Sequence, residues 1–264
     1  MTDSHSPSVY TPRFRIFSRT DVGKRRQRNE DSLGVIARHG VFLVADGMGG
    51  VDGGDFSSRQ VVDQMSLSFQ DLKPGSLTFE ETLDRVEQSI VESSTKIKAE
   101  AHVRGICGMG TTVVLICFDL TGEHEACVMH VGDSRLYRYR QHQLEALTED
   151  HSLAAEAGIV DHSMIPMFMA GVITRAVGVK EDVLIDQNPV DIRPGDWYLL
   201  CSDGLYNMVT ETEIARILSR HSLDPAAELV AAANEAGGFD NITVVLIYLE
   251  GGPSESGNLD DTIT

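Results

Sequence analysis

Cysteine is scarce in this 264-residue chain. Cys107, Cys117, Cys127 and Cys201 are the only four, and none forms a C-x-x-C pair. They lie in or beside apolar stretches and read as reduced, mostly buried thiols, as in a cytoplasmic protein. Long apolar runs are also missing. No stretch approaches the roughly 18 residues that a membrane-spanning helix needs. Residues 1–11 are polar without an apolar core segment, so no secretory signal is expected there. Positive charge is in short supply: 22 Lys and Arg stand against 40 Asp and Glu, a net charge of −18. Non-specific binding to nucleic acid or to an anionic membrane needs a cationic surface and is therefore not expected. The one basic cluster is Lys24, Arg25, Arg26 and Arg28.

Several catalytic signatures are absent as well. No Cys is followed by an Arg six positions on, so a cysteine-phosphatase loop is missing. There is no G-x-x-x-x-G-K-[ST] loop, no H-E-x-x-H and no G-x-S-x-G, and Gly47, Gly49 and Gly50 fail the G-x-G-x-x-G spacing.

What is present is ordinary globular material, 42% hydrophobic and 23% charged, enough for one well-filled domain. Strands are expected at residues 14–17, 33–37, 41–45, 112–118, 126–131, 136–140, 197–202 and 242–249. Helices are expected after Asp55 as N-cap, with Val61, Val62, Met65 and Phe69 on one face, and after Thr78 in a capping box with Glu81. The second helix carries a stripe of Phe79, Leu83, Val86, Ile90, Ile97 and Ala101. Further helices are expected at residues 150–158, after a second capping box at Thr210 and Glu213, and after Asp224-Pro225, stopping at Gly237-Gly238. The short links between residues 118 and 126 and between 131 and 136 predict three antiparallel neighbours. Strands and helices thus come in blocks, which favours an α+β layered fold over a doubly wound one. No internal linker divides residues 9–250, read as a single domain. Residues 1–8 and 251–264 read as disordered ends, and residues 150–171 as a flap segment, whose apolar part, 164–171, is broken by Pro166 and also fits a core segment.

Carboxylates recur at the strand ends. Asp46 closes the 41–45 strand against Gly47, Asp203 closes the 197–202 strand, Asp240 precedes the last strand, and Glu30 and Asp31 precede the second. Held together without a cation, they would repel and raise one another's pKa; a divalent metal removes that cost. Oxygen donors without matching His or Cys suit Mg²⁺ or Mn²⁺ rather than Zn²⁺, and Gly47 could add a backbone carbonyl. Singly, each of these Asp residues also fits a turn.

Seven motifs then occur in order: Arg26-Gln-Arg-Asn-Glu-Asp31, Val44-Ala-Asp-Gly-Met-Gly-Gly50, Gly108-Met-Gly-Thr-Thr112, Gly132-Asp-Ser-Arg135, Ile173-Thr-Arg-Ala-Val-Gly178, Leu200-Cys-Ser-Asp-Gly-Leu205 and Asp240-Asn-Ile-Thr-Val-Val245. The chain resembles the bacterial metal-dependent serine/threonine protein phosphatases of the 2C type. The resemblance implies a four-layer α-β-β-α sandwich of two antiparallel sheets flanked by helices, with the metals at one end. It implies hydrolysis of phosphoserine and phosphothreonine in proteins by in-line attack of a metal-bridging hydroxide, opposing a cognate Ser/Thr kinase. By position, Asp46 would bridge two Mn²⁺ or Mg²⁺ ions, the Gly47 carbonyl would bind one, and Asp203 and Asp240 would hold the other. Glu30 and Asp31 would orient waters on the metals, and Arg26 would grip the phosphate. A monomer in the cytoplasm is expected.

The chain departs from the pattern in places. Met48 and Val51 stand where relatives carry His, so no general acid is named, and Asp55 stands where Glu is usual. Residues Gly105-Ile-Cys107 lack the carboxylate that contributes to a third metal in many bacterial members, which leaves a third ion in doubt. Two other readings stay open on sequence: a phosphoprotein-binding regulator of the same fold without turnover, and a hydrolase of small phosphoesters.

Overall fold

The computed structural model describes residues 12–50, 53–121, 125–159, 166, 168–169 and 171–250. The expectations for both chain ends, for Val51 and for part of the 150–171 flap fall outside them. In chain order the strands are β1 (Arg13–Asp21), β2 (Asp31–Ile36), β3 (Val41–Met48), β4 (Gly110–Thr111), β5 (Val113–Phe118), β6 (Glu125–Val131), β7 (Arg135–Arg140), β8 (Gln143–Ala146), β9 (Asp186–Asp191), β10 (Trp197–Cys201) and β11 (Ile242–Glu250). The helices are α1 (Gly53–Phe69), α2 (Phe79–Arg104), α3 (Leu153–Glu156), α4 (Asp203–Tyr206), α5 (Glu211–Ser219) and α6 (Pro225–Glu235).

The strands form two antiparallel sheets, ordered β1-β11-β10-β7-β8 and β2-β3-β5-β6-β9, with β4 paired to the end of β3. Alternating side chains of each sheet feed two apolar layers. Between the sheets lie Phe42, Val44, Val114, Ile116, Phe118, Leu136, Tyr198, Leu200, Val245 and Ile247. The ring of Phe118 meets Phe42 and Tyr198 edge-on at 5.8 and 5.4 Å. Outside the first sheet, Leu199, Val244 and Leu246 pack with Ile214 and Ile217 of α5 and Leu229 of α6. Outside the second, Leu43, Val113 and Leu115 pack with Val61 and Met65 of α1 and Val86 and Ile90 of α2. The result is the expected α-β-β-α sandwich. Each fully buried Leu, Ile, Val or Phe contributes about 1.5–3 kcal/mol relative to exposure.

Local chemistry accounts for most boundaries. Thr78 and Glu81 complete the expected capping box at α2, and Asp224 caps α6 with Pro225 at its first position. Five expectations need correction. The strands at 126–131 and 136–140 are not neighbours: β6 and β7 sit in different sheets, and residues 132–134 carry the chain across. The free edges that would have paired are filled by β9 on β6 and β8 on β7. Both of these edge strands, Asp-Gln-Asn-Pro-Val-Asp and Gln-Leu-Glu-Ala, lack a clear apolar alternation and escaped notice. Next, β3 does not stop at the glycine but runs to Met48, because Gly47 and Met48 pair with Thr111 and Gly110. Third, Asp55 is not the cap of α1, which starts at Gly53; Asp55 lies in its first turn and pairs with Arg59. The Gly53-Gly54 pair is inside the helix because Gly54 packs directly on Gly47, where a Cβ would meet the Gly47 carbonyl at 2.8 Å. Fourth, the helix expected at 150–158 is shorter: α3 covers Leu153–Glu156 and is capped by Ser152, while Asp150 is taken by Arg135 at 2.7 Å. Fifth, Thr210 accepts the Glu213 N–H as expected, but the Glu213 carboxylate turns to Arg216 instead of closing the box.

Candidate active site

The two sheets bring their carboxylate-bearing ends to one rim. Asp46 lies near the end of β3, and the β2–β3 register places Asp31 directly across from it. The backbone there is held on three sides. The Asp46 N–H donates to Thr112 Oγ1 at 3.0 Å, its carbonyl accepts from Thr112 N at 2.8 Å, and Thr111 Oγ1 donates to the same carbonyl at 2.8 Å. Gly47 donates to the Glu30 carbonyl at 3.1 Å and faces Gly54 so closely that a Cβ would lie 2.1 Å from the Gly54 oxygen. Only glycine fits that approach.

From the other sheet comes Asp203, the residue after Ser202 at the end of β10. The Ser202 hydroxyl donates to Asp31 Oδ2 at 2.7 Å and accepts the Thr243 N–H at 3.0 Å, so one buried hydroxyl ties β2, β10 and β11 together. Asn207 donates to Asp203 Oδ2 at 3.2 Å. Asn241 organises the remaining loop. Its Oδ1 accepts the Glu30 N–H at 2.8 Å, and its amide donates to the carbonyls of Val22 and Arg28 at 3.0 and 2.9 Å. Asp240, next to it, is paired with Arg26 Nη2 at 2.7 Å. The Arg26 side chain is 50% exposed, and that single bond leaves further guanidinium N–H groups to offer an anion.

A fifth aspartate joins the rim. Asp133, in the crossover between β6 and β7, raises the pKa of both Asp46 and Asp203. It went unassigned on sequence although Gly132-Asp-Ser-Arg135 was singled out, because a four-residue link read as a hairpin gives its Asp no reason to face a site. It supplies a carboxylate where the segment before Gly108 has none. Ser202, Asn241 and Thr112 were missed too, since nothing in spacing distinguishes a positioning hydroxyl or amide from a turn residue.

The electrostatics are those of crowded, half-dehydrated acids. Burial, then Asp31, Asp203, Asp133 and Asp240, pushes Asp46 well above the usual carboxylate range. Burial, then Asp133 and Asp240, raises Asp203 to about 8. Asp31 rises to about 6, mainly through burial and against the pull of its hydrogen bonds to Thr243 and Ser202. Burial and Asp150 lift Asp133 to about 6, and burial raises Glu30. Asp31 Oδ1 is buried with no hydrogen-bond partner among the described residues. Oxygen-only donors, mutual repulsion and an orphaned carboxylate oxygen all fit hard divalent cations, whose charge would reverse each of these shifts. Met48 turns its methyl towards Gly110, 3.2 Å from where a Cβ there would sit, and offers no proton.

A separate trio, His130, His151 and Asp186, brings one atom from each within 4.8 Å of the others. The hydrogen bonds of His151 do not suit a metal. His151 Nδ1 accepts the Gly132 N–H at 3.1 Å, so its proton sits on Nε2, facing Asp186 Oδ2 at 3.2 Å. His130 Nε2 faces the Glu149 carbonyl at 2.8 Å and must donate there. Arg175 adds a cation, 2.7 Å from Asp186 Oδ1. The trio staples the crossover turn to the segment before α3 and to β9.

Comparison with known proteins bears on this rim. The profile of the family described as Protein phosphatase 2C matches residues 22–236. The chain is 37% identical over 239 residues to the serine/threonine phosphatase Stp of Listeria monocytogenes, covering 87% of this chain and 93% of that one. Among solved structures it is similar to PppA of Pseudomonas aeruginosa, with a TM-score of 0.80, 34% identity and coverage of 90% and 99%. It is also similar to the catalytic domain of the serine/threonine protein phosphatase PstP in complex with 2 manganese ions, with a TM-score of 0.76, 30% identity and coverage of 90% and 99%.

Proposed function

We propose, from the premise that the chain belongs to the protein phosphatase 2C family and is a metal-dependent serine/threonine protein phosphatase, that its reaction centre is the rim formed by Asp46, Asp203, Asp240 and Arg26. The observation that carries the assignment is the convergence of buried carboxylates from both sheets, Asp31 facing Asp46 across β2–β3 and tied to Ser202 beside Asp203, where they raise one another's pKa at a cost in free energy unless cations are bound. Asp46, the Gly47 carbonyl, Asp203 and Asp240 form an oxygen donor set that would hold two Mn²⁺ or Mg²⁺ ions, with Asp46 serving both. Asp133 beside Asp203 gives a third ion a carboxylate to bind. Glu30 and Asp31 stand behind these groups, and Asp31, fixed by Ser202, orients water that reaches Asp46.

The chemistry the cations supply when bound is acidification of a water and neutralisation of phosphoryl charge. The protein's own groups do the rest. Arg26, half exposed beside Asp240, offers N–H donors to the phosphoryl oxygens and stabilises the charge that builds on them. No side chain of the rim is placed to attack phosphorus: the Ser202 hydroxyl is used by Asp31 and Thr243, and the Ser134 hydroxyl by Thr112 at 2.7 Å. The nucleophile is therefore water, and no phosphoenzyme forms. No residue of the rim is assigned as the acid that protonates the leaving Ser or Thr oxygen.

Substrates are phosphorylated proteins. Among the described residues no helix is long and apolar enough to cross a membrane. A single domain over residues 9–250 acting as a monomer in the cytoplasm, opposite a Ser/Thr kinase, completes the reading. The non-catalytic and small-phosphoester readings are not favoured, since the carboxylates are retained and the relatives are protein phosphatases. Purified protein with Mn²⁺ releases phosphate from a phosphothreonine peptide, loses that activity in EDTA, and loses at least about 100-fold as Asp203→Ala. Full activity in the Asp203→Ala variant overturns the site.

A further inference from the structure

Beside the proposed site, the loop of residues 23–28 and the loop of residues 237–240 are built as one rim. The Lys24 N–H donates to the Gly238 carbonyl at 2.8 Å, and a Cβ on Gly23, where φ is +75°, would lie 2.2 Å from the Asp240 oxygen. Gly237 holds φ at +139°, and a Cβ there would lie 2.4 Å from the Phe239 ring, so that ring packs on bare backbone. Phe239 is nevertheless 56% exposed. The Arg25 guanidinium sits 5.6 Å from its centroid and makes no ion pair among the described residues. One position along each loop are Arg26 and Asp240, the pair at the edge of the reaction centre.

We infer that Arg25 and Phe239 form a specificity shelf that selects substrates carrying a second anionic group beside the phosphorylated residue. The inference rests on the reading that Arg26 grips the phosphate. Several facts point the same way. A guanidinium held over an aromatic face is partly pre-organised and keeps its in-plane N–H donors for a carboxylate or a phosphate. The exposed remainder of the ring takes the aliphatic part of the flanking residue. The chain as a whole carries a net charge of −18, which repels acidic segments, while Lys24, Arg25, Arg26 and Arg28 concentrate four of its 22 basic residues at this rim. An acidic segment is therefore steered to the shelf and disfavoured away from it. Successive residues of an extended peptide advance by about 3.3–3.6 Å, so positions adjacent to the phosphorylated residue reach a neighbouring loop residue.

The test uses the full chain with Mn²⁺ and three phosphothreonine peptides of equal length, flanked by Glu, by Lys, or by a second phosphothreonine. Exposed ion pairs are worth about 0.2–1 kcal/mol, so kcat/KM for the Glu peptide exceeds that for the Lys peptide by about 1.4- to 5-fold, mostly through KM. Arg25→Glu brings the ratio below one, and Phe239→Ala moves it towards one. A second phosphate favoured over Glu identifies phosphate as the preferred anion; equal preference identifies charge alone. A wild-type ratio at or below one for both anionic peptides overturns the shelf, as does an Arg25→Glu variant with an unchanged ratio. If no peptide is turned over, the phosphatase reading fails separately, and Kd values for phosphonate analogues of the same peptides still decide the shelf by the same ratios.

Discussion

Ser202 shows how much of this site depends on a residue that touches no substrate. Its hydroxyl is buried, donates to Asp31 and accepts from Thr243, and so fixes a carboxylate of one sheet against the backbone of the other. Ser202→Ala leaves Asp31 with one fewer donor and the Thr243 N–H without its acceptor. A buried polar group left unpaired costs about 1–3 kcal/mol, and that loss is expected in urea unfolding, with weaker Mn²⁺ affinity alongside. Gly47→Ala tests the backbone in the same way. Its Cβ would overlap the Gly54 oxygen, so β3 and the start of α1 must separate. The expected outcome is soluble protein that has lost Mn²⁺-dependent turnover, or protein that does not fold; normal turnover contradicts the close approach. At this scale the sequence named Asp46, Gly47, Asp203, Asp240, Arg26, Glu30 and Asp31, and the fold brings all seven to one rim. It did not name Asp133, Ser202 or Asn241, because their roles arise from what the crossover and the second sheet place opposite them.

Elements were legible where local physics decides them. The Thr78–Glu81 box, the Asp224-Pro225 start and the buried runs of β5 and β10 are set by nearby residues, and their expected boundaries are close to those found. Edge strands β8 and β9 were not read, since a polar edge strand exists only because a neighbour offers it a ladder. The β6–β7 link was misread for a related reason: a short link permits a hairpin, but sheet membership depends on which edges are already occupied. One ion-pair cluster holds this part of the sandwich together. Asp196, 1% exposed, takes Arg140 through two bonds of 2.7 and 2.6 Å, the Arg193 N–H at 2.8 Å and the Tyr198 hydroxyl at 3.1 Å. Removing one partner of a buried pair costs about 3–5 kcal/mol. Asp196→Ala is therefore expected to lower Tm by about 6–20 °C, with kcat/KM per folded molecule unchanged. A stable variant, or a folded one with impaired turnover, contradicts the purely structural assignment.

For the molecule as a whole, the acidic rim links metal to stability. In the metal-free protein Asp203 holds its proton to about pH 8 and Asp31 and Asp133 theirs to about pH 6, against an ordinary value of 3.8. The folded state therefore binds more protons than the unfolded chain between roughly pH 4 and 8, and stability falls as pH rises through that window. Melting in EDTA at pH 5, 6, 7 and 8 should show Tm declining, and saturating Mn²⁺ should raise Tm most at the alkaline end. A metal-free Tm that rises across the window contradicts the assigned burden of charge.

If Asp46 serves two cations at this rim, calorimetric titration with Mn²⁺ registers both. The wild-type chain at pH 7.5 is predicted to bind at least two Mn²⁺ ions, and Asp46→Asn to lose about 100-fold or more in affinity for both, together with its phosphothreonine-peptide turnover. An Asp46→Asn protein that binds two Mn²⁺ ions as tightly as the wild type would contradict the account.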